Sequence, residues 1–170
     1  MDLKELVRNI PDFPKEGILF RDITPLIGDA DGFGALIDAM ADTFRDQKID
    51  VVVGPEARGF IFGATLAHAL RAGFVPARKP GKLPYKTIGY AYGLEYGTDE
   101  LQIHEDAVRP GQRVAIVDNL LATGGTALAC AKLVEQAGGV VAGFTFAIEL
   151  TDLPGRETLA GYPVHTILKY

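Results

Sequence analysis

Asp118 and the small residues Ala122, Thr123, Gly124, Gly125 and Thr126 are the stretch whose chemistry is most evident. A carboxylate accepts hydrogen bonds from hydroxyl groups, and a run of alanine, threonine and glycine lets the main chain turn tightly with its N–H groups pointing inward. Such a turn suits a phosphate. Asn119 adds a neutral amide acceptor next to the acid. Arg58, within Pro55-Glu56-Ala57-Arg58-Gly59, is a second candidate for an anion, although an arginine at a helix start is ordinarily a solvated surface residue. Further cations gather at Arg78, Lys79, Lys82 and Lys86, but Gly81-Lys82 lacks the earlier glycine and the following Ser or Thr of a nucleotide P-loop. His68, His104 and His165 stand apart from one another, so no protein-only metal site is expected, and a metal would arrive as Mg²⁺ on a phosphorylated substrate. Serine is absent and Cys130 is the single cysteine, which excludes a serine nucleophile and gives little support to a thiol enzyme. Gly32-Phe33-Gly34 neither follows a strand nor completes a dinucleotide fingerprint.

Two strand–loop–helix units must position these groups. Val114 to Val117 is an unbroken apolar run, expected of a strand buried on both faces that ends on Asp118. Leu128, Ala131, Leu133 and Val134 fit one side of a helix over 126–136, which sets the glycine loop at a helix N-terminus, where free N–H groups and the dipole favour anions. Asp50 to Gly54 is the second buried strand, leading through 55–59 into an apolar helix over 60–72. Ligands bind beyond the carboxyl ends of parallel strands, so Arg58 should face the glycine loop.

The remaining elements alternate in the same manner. Residues 2–9 read as a short amphipathic helix closed by Pro11 and Pro14, residues 17–22 as a surface strand, and Thr24-Pro25 as a helix start. A helix is expected over 32–46, strands at 74–78, 140–150 and 164–168, and a helical turn at 156–160. From Thr87 to Ile103, aromatics and glycines alternate as two extended segments joined by a flexible excursion, a pattern often found in lids. The fold class is α/β with a mainly parallel central sheet flanked by helices. With 170 residues and 48% hydrophobic composition, one domain over 1–170 is expected. A net charge of −5 argues against a nucleic-acid or membrane face. MDLKELVRNI lacks the apolar centre of a signal peptide and no run reaches membrane-spanning length, so a soluble, cytoplasmic protein is expected, with Cys130 in the core.

Six segments carry a family resemblance in one order: FPKEGILFRDITPL (13–26), GPEARGFIFG (54–63), RKPGKLP (78–84), LEYG (94–97), VAIVDNLLATGGTA (114–127) and IELTDLPGRETL (148–159). The fifth resembles the phosphoribosyl diphosphate (PRPP) motif of type I phosphoribosyltransferases, and its Leu120-Leu121 with Ala-Thr-Gly-Gly-Thr resembles the adenine phosphoribosyltransferases. Over essentially 11–170, the resemblance implies a type I phosphoribosyltransferase fold with a small N-terminal hood (about 1–30) and a lid loop. It implies transfer of ribose 5-phosphate from PRPP to N9 of adenine, giving AMP and pyrophosphate, with Mg²⁺ as cofactor and a homodimer as the assembly.

By that resemblance, the N–H groups from Ala122 to Thr126 hold the 5-phosphate, and Asp118 and Asn119 the ribose hydroxyls. Arg58 with the backbone of Ala57 and Gly59 holds pyrophosphate, and Lys79 and Lys82 add charge. Adenine lies against Phe20 and Leu150, with Leu19 and Arg21 presenting main-chain groups, and Glu95 accepts or orients the N9 proton. The family pattern usually has two adjacent acids after the strand, whereas the second here is Asn119; a neutral acceptor should cost about fivefold to tenfold in rate. Two alternatives are a phosphoribosyltransferase for another purine and a non-catalytic PRPP-sensing regulator, the latter disfavoured by the negative charge and the lack of an appended nucleic-acid module.

Overall fold

The computed structural model describes residues 1–94 and 97–170, and for Leu94 the backbone alone. The expected N-terminal helix is a single 3-10 turn over Leu3–Leu6, capped by the Asp2 side chain, after which Arg8–Ile10 (β1) pairs antiparallel with Phe20–Asp22 (β2). The backbone groups of 8–10 find partners in β2, which a short isolated helix would have to do without. Asp22 then accepts hydrogen bonds from Thr24 N and Oγ1 (3.0 and 2.7 Å), starting α1 (Thr24–Gly28). Asp29 caps Gly32 N at 2.7 Å, so α2 runs over Ala30–Asp42, earlier than the apolar spacing alone indicated.

β3 (Val51–Pro55), α3 (Arg58–Leu70) and β4 (Gly73–Ala77) follow as one crossover unit. β5 (Thr87–Leu94) and β6 (Gly97–His104) are the two extended segments foreseen, paired in register from Thr87↔His104 to Leu94↔Gly97. β7 (Arg113–Leu121), α4 (Gly125–Gln136), β8 (Val140–Glu149), α5 (Gly155–Thr158) and β9 (Val164–Lys169) complete the chain. Among the described residues the central sheet has five strands, all parallel, in the order β4-β3-β7-β8-β9.

Side-chain alternation divides the core into two layers. Val52, Ala115 and Val117 pack with Leu36, Met40, Phe62 and Leu66 of α2 and α3, while Val51, Val53, Val114 and Ile116 pack with Ala131, Leu133 and Val134 of α4 and with the hairpin residues Leu101 and Ile103. Cys130 lies in this second layer, fully buried, and burial pushes its thiol far above the usual range. No described helix is long and apolar enough to cross a membrane.

One difference from the sequence reading bears on the site. β7 does not end on Asp118 but runs on to Leu121, because β8 continues to pair with it through Leu120↔Ile148 and Leu121↔Glu149. Asp118 and Asn119 are therefore strand residues, the first paired with Phe146 and the second set between that pair and Leu120↔Ile148.

Candidate active site

At the carboxyl ends of β3 and β7 three cavities adjoin. The first, about 90 Å³, is the glycine loop itself, lined by Asp118, Leu120 to Ala127 and Phe146. The second, about 420 Å³, is bounded by Glu56, Ala57, Arg58, Asp118, Asn119 and Thr126. The third, about 150 Å³, lies under the hood between Ile18, Leu19, Phe20, Arg21, Arg58, Asn119, Leu120, Ile148 and Leu150. Asp118 and Thr126 border the first two; Arg58 and Asn119 border the last two.

The glycine loop is shaped by Gly124, whose φ of +86° belongs to the left-handed region and which serves as the N-cap of α4 without a side-chain acceptor. The first N–H groups of α4 are thus left to a ligand, and the helix dipole adds partial positive charge. Behind the loop stands α5: a methyl built on Gly155 would lie 2.6 Å from Ala122 O, and one on Gly124 would lie 3.0 Å from Gly155 O. The loop and this turn have no room to move towards each other.

Asp118 Oδ1 accepts a 2.8 Å hydrogen bond from Asn119 N. Burial raises its carboxyl to about 7, against the opposing pull of that N–H and of the Arg58 guanidinium. Near neutral pH it is therefore poised between acid and carboxylate. Gly59, in the first turn of α3, approaches so closely that a methyl there would sit 3.1 Å from Asp118 Oδ1 and 2.8 Å from Pro55 Cδ.

The loop at 55–59 is built differently. Glu56 accepts from Lys79 N at 2.8 Å, from Lys82 Nζ at 2.6 Å and from Arg78 Nε at 3.3 Å. Burial works to raise its pKa, but Lys82, the Lys79 N–H and Arg78 outweigh it and hold the carboxyl below the usual value. Lys79 Nζ is bonded to Asp99 of β6; that bond is the largest cause raising the Lys79 pKa and lowering that of Asp99. Tyr92 OH lies 3.2 Å from Asp99 Oδ2 and 3.4 Å from Thr126 Oγ1, so the hairpin touches both the cation cluster and the first turn of α4.

In the hood, the Arg21 side chain is tethered: Nη1 donates to Asn9 Oδ1 at 2.5 Å, and the guanidinium stacks 4.3 Å from the Tyr170 ring centroid. Phe13 supports Phe20 edge-on at 5.1 Å between ring centroids.

The structure brings together Asp118, Asn119, Ala122, Thr123, Gly124, Gly125, Thr126, Ala57 and Arg58 around the first two cavities, and Leu19, Phe20, Arg21 and Leu150 around the third. Gly59 stands behind Asp118, and Lys79 and Lys82 are bonded to Asp99 and Glu56 and are not among the lining residues of these three cavities. Glu95 lies outside the described residues. Among these, no group of three or more His, Cys, Asp or Glu side chains could hold a metal ion. Sequence reasoning gave no role to Glu56, Ile18, Leu120 or Ile148, although Glu56 stands inside the quoted GPEARG segment and Leu120 beside the loop.

A glycine loop at a helix N-terminus, a basic loop and an apolar cleft thus lie together at the ends of parallel strands, and comparison with known proteins shows the family in which this arrangement occurs. The phosphoribosyl transferase domain model matches residues 29–149. A curated adenine phosphoribosyltransferase of Clostridium perfringens (strain 13 / Type A) is 62% identical over 170 residues, covering 100% of this chain and 99% of the relative. Crystal structures of adenine phosphoribosyltransferase from Thermoanaerobacter pseudethanolicus (TM-score 0.95, 56% identity, 99% of this chain and 98% of that one) and Saccharomyces cerevisiae (TM-score 0.91, 44% identity, 97% and 96%) superpose on it, the latter complexed with an imino-altritol bisphosphate and adenine. The chain belongs to the phosphoribosyl transferase family, among the adenine phosphoribosyltransferases.

Proposed function

We propose that the three cavities divide PRPP and adenine between them, with transfer of the 5-phosphoribosyl group to N9 of adenine giving AMP and pyrophosphate. The observation that carries this reading is their continuity: each neighbouring pair shares two residues, Asp118 with Thr126 and Arg58 with Asn119. The N–H groups from Ala122 to Thr126 hold the 5-phosphate. Asp118 and Asn119, fixed on β7, receive the ribose hydroxyls. Ala57, Arg58 and Gly59 hold the pyrophosphate, with Lys79 and Lys82 turning to it from their carboxylates. Adenine lies between Phe20 and Leu150, its polar edge against the main chain of Leu19 and Arg21; the tethering of the Arg21 side chain to Asn9 and Tyr170 supports that use of its backbone.

The carbon under attack passes through an oxocarbenium-like transition state as pyrophosphate departs, so catalysis rests on positioning and charge. Asp118 contributes negative charge beside the ribose when ionised, and Arg58 stabilises the leaving group. Glu56, Asp118 and the amide oxygen of Asn119 are hard oxygen donors that fit a Mg²⁺ reaching the middle cavity on PRPP, with water completing its shell. The ion supplies charge neutralisation to the pyrophosphate. Glu95 serves as acceptor or orienting group for N9–H; Glu95→Gln is expected to lower turnover while PRPP affinity hardly changes, checked by steady-state rates alongside equilibrium PRPP binding.

Residues 1–170 act as one catalytic unit with 1–30 as its hood, consistent with Val7, Ile23 and Leu26 sharing a core with α2 and α3. A homodimer is supported by the open groove between α2 and α3, about 470 Å³, lined by Phe33, Ile37, Ala64 and His68 among others, and by exposed Ile61 nearby. A reducing, cytoplasmic setting accords with the unpaired, buried Cys130. The test is incubation with PRPP, Mg²⁺ and each purine base in turn: AMP and pyrophosphate with adenine are expected, whereas a different nucleotide, or binding without pyrophosphate release, overturns the reading.

A further inference from the structure

Glu149 ends β8 and is 5% exposed, a charged side chain sealed into the molecule outside the three cavities. Its carboxylate is fully engaged. Arg156 donates Nε to Oε1 at 2.7 Å and Nη2 to Oε2 at 3.0 Å, a two-point fork, and Thr166 of β9 donates Oγ1 to Oε2 at 2.6 Å. The guanidinium has two further partners, Val164 O at 3.3 Å and Thr166 Oγ1 at 3.2 Å. Such a pair, its carboxylate buried and its guanidinium still open to solvent, adds little net stability, because desolvation of the one and screening of the other offset the attraction. Its geometric content is larger: a planar fork fixes orientation as well as distance.

What it fixes is α5. Four residues long, and without a side-chain cap at Pro154, this turn is too short to hold its own shape and depends on its tethers, the fully buried Leu159 at one end and Arg156 within it. Arg156 adjoins Gly155, which lies so close to the loop that an added methyl would meet Ala122 O and the Leu121 side chain, just as one on Gly124 would meet Gly155 O and Thr158. Glu149 is at the same time the register partner of Leu121, the strand residue that delivers the loop. Both ends of the ion pair are therefore one residue or one strand pairing away from the phosphate cradle, and neither lines it.

We propose that Glu149 and Arg156 are positioning residues that press α5 against the glycine loop and so set affinity for the phosphate end of PRPP. The inference rests on the assignment of that loop to the 5-phosphate. Close-packed backbone transmits small displacements, and a shift of a few tenths of an ångström in α5 moves the N–H groups off their acceptor.

Steady-state kinetics with both substrates varied, on Arg156→Lys and Glu149→Gln, test it. Arg156→Lys keeps the charge and loses the fork; KM for PRPP is expected to rise about tenfold, with KM for adenine and kcat changed less than about twofold. Thr166→Val, a milder change that keeps the fold if the others do not, should move the PRPP KM in the same direction by about twofold to threefold. Titration of ribose 5-phosphate into each folded variant should show the same weakening. An unchanged PRPP KM in Arg156→Lys, or equal rises for both substrates, overturns the clamp. Gly124→Ala separates this failure from that of the loop assignment: if it weakens PRPP while Arg156→Lys does not, the clamp alone is wrong, and if it leaves PRPP binding intact, the loop is not the phosphate site and the clamp falls with it.

Discussion

Two strand–loop–helix units stand side by side in one sheet and, on the function proposed above, hold the two anionic ends of one ligand in opposite ways. The unit at β7 offers bare N–H groups at the start of α4, with a neutral turn and a glycine N-cap. The unit at β3 offers Arg58 and, just beyond β4, a cluster of side-chain cations that carboxylates of the protein already occupy: Glu56 holds Lys82 and Arg78, and Asp99 holds Lys79. A backbone cradle is preorganised and needs no counter-ion, since its charge is partial and dispersed. Clustered full charges repel one another, and internal carboxylates relieve that repulsion until a ligand takes their place. The first site should therefore bind by fit and the second by exchange.

Removing the acid between the two sites should produce the largest effect. Asp118→Asn is expected to lower kcat/KM by about a hundredfold, since a full charge beside the ribose is lost. The same change should alter stability in the opposite sense at high pH. The native carboxyl is raised to about 7 from its ordinary value of 3.8, so the fold binds the proton more tightly than the unfolded chain does. The resulting stability is fully present below the unfolded value and is lost as pH rises through the folded one. Urea unfolding at pH 5 and pH 8 should thus show a pH-dependent component in the wild type that Asp118→Asn lacks.

Next in size is Gly124→Ala. A side chain at φ +86°, meeting Gly155 O and Thr158, should cost about 1–3 kcal/mol and raise KM for PRPP more than tenfold, while leaving adenine binding to the free hood almost unchanged. Smaller is Asn119→Asp, which adds charge near the ribose and should raise kcat/KM by about fivefold to tenfold above neutrality. A second carboxylate beside Asp118 also pushes the Asp118 proton affinity up, so the acidic limb of the pH–rate profile should move to higher pH. A lower efficiency at every pH would give asparagine a role of its own. Least of all, Lys82→Ala should raise KM for PRPP about threefold, because the lysine it removes had first to leave Glu56. The signature of exchange is salt: the wild-type PRPP KM should rise with ionic strength, and Lys82→Ala should flatten that dependence.

Much of this was legible in the chain. The continuous valine runs at 51–53 and 114–117 announce strands covered on both faces, and Gly124-Gly125 before an apolar helix announces the loop, because local chemistry dictates both. Less legible were the endings. β7 outlasts its apolar run because β8 supplies ladder partners to Leu121, a long-range fact that no window around Asp118 contains. The 2–9 helix yielded to pairing with β2 for the same reason. Glu149 carries no signal in an apolar strand apart from being out of place there, and its partner Arg156 is found only when β8, α5 and β9 are assembled. The lysines were legible as cations but not as ion-paired ones.

Gly59 has one more consequence. Because the helix that carries Arg58 rests on the strand that carries Asp118 with no methyl between them, the span from the basic loop to the glycine loop is set by a missing side chain. The spacing between the two loops therefore has little slack, and even alanine at position 59 would have to push the Asp118 carboxylate or the Pro55 ring aside and so alter it.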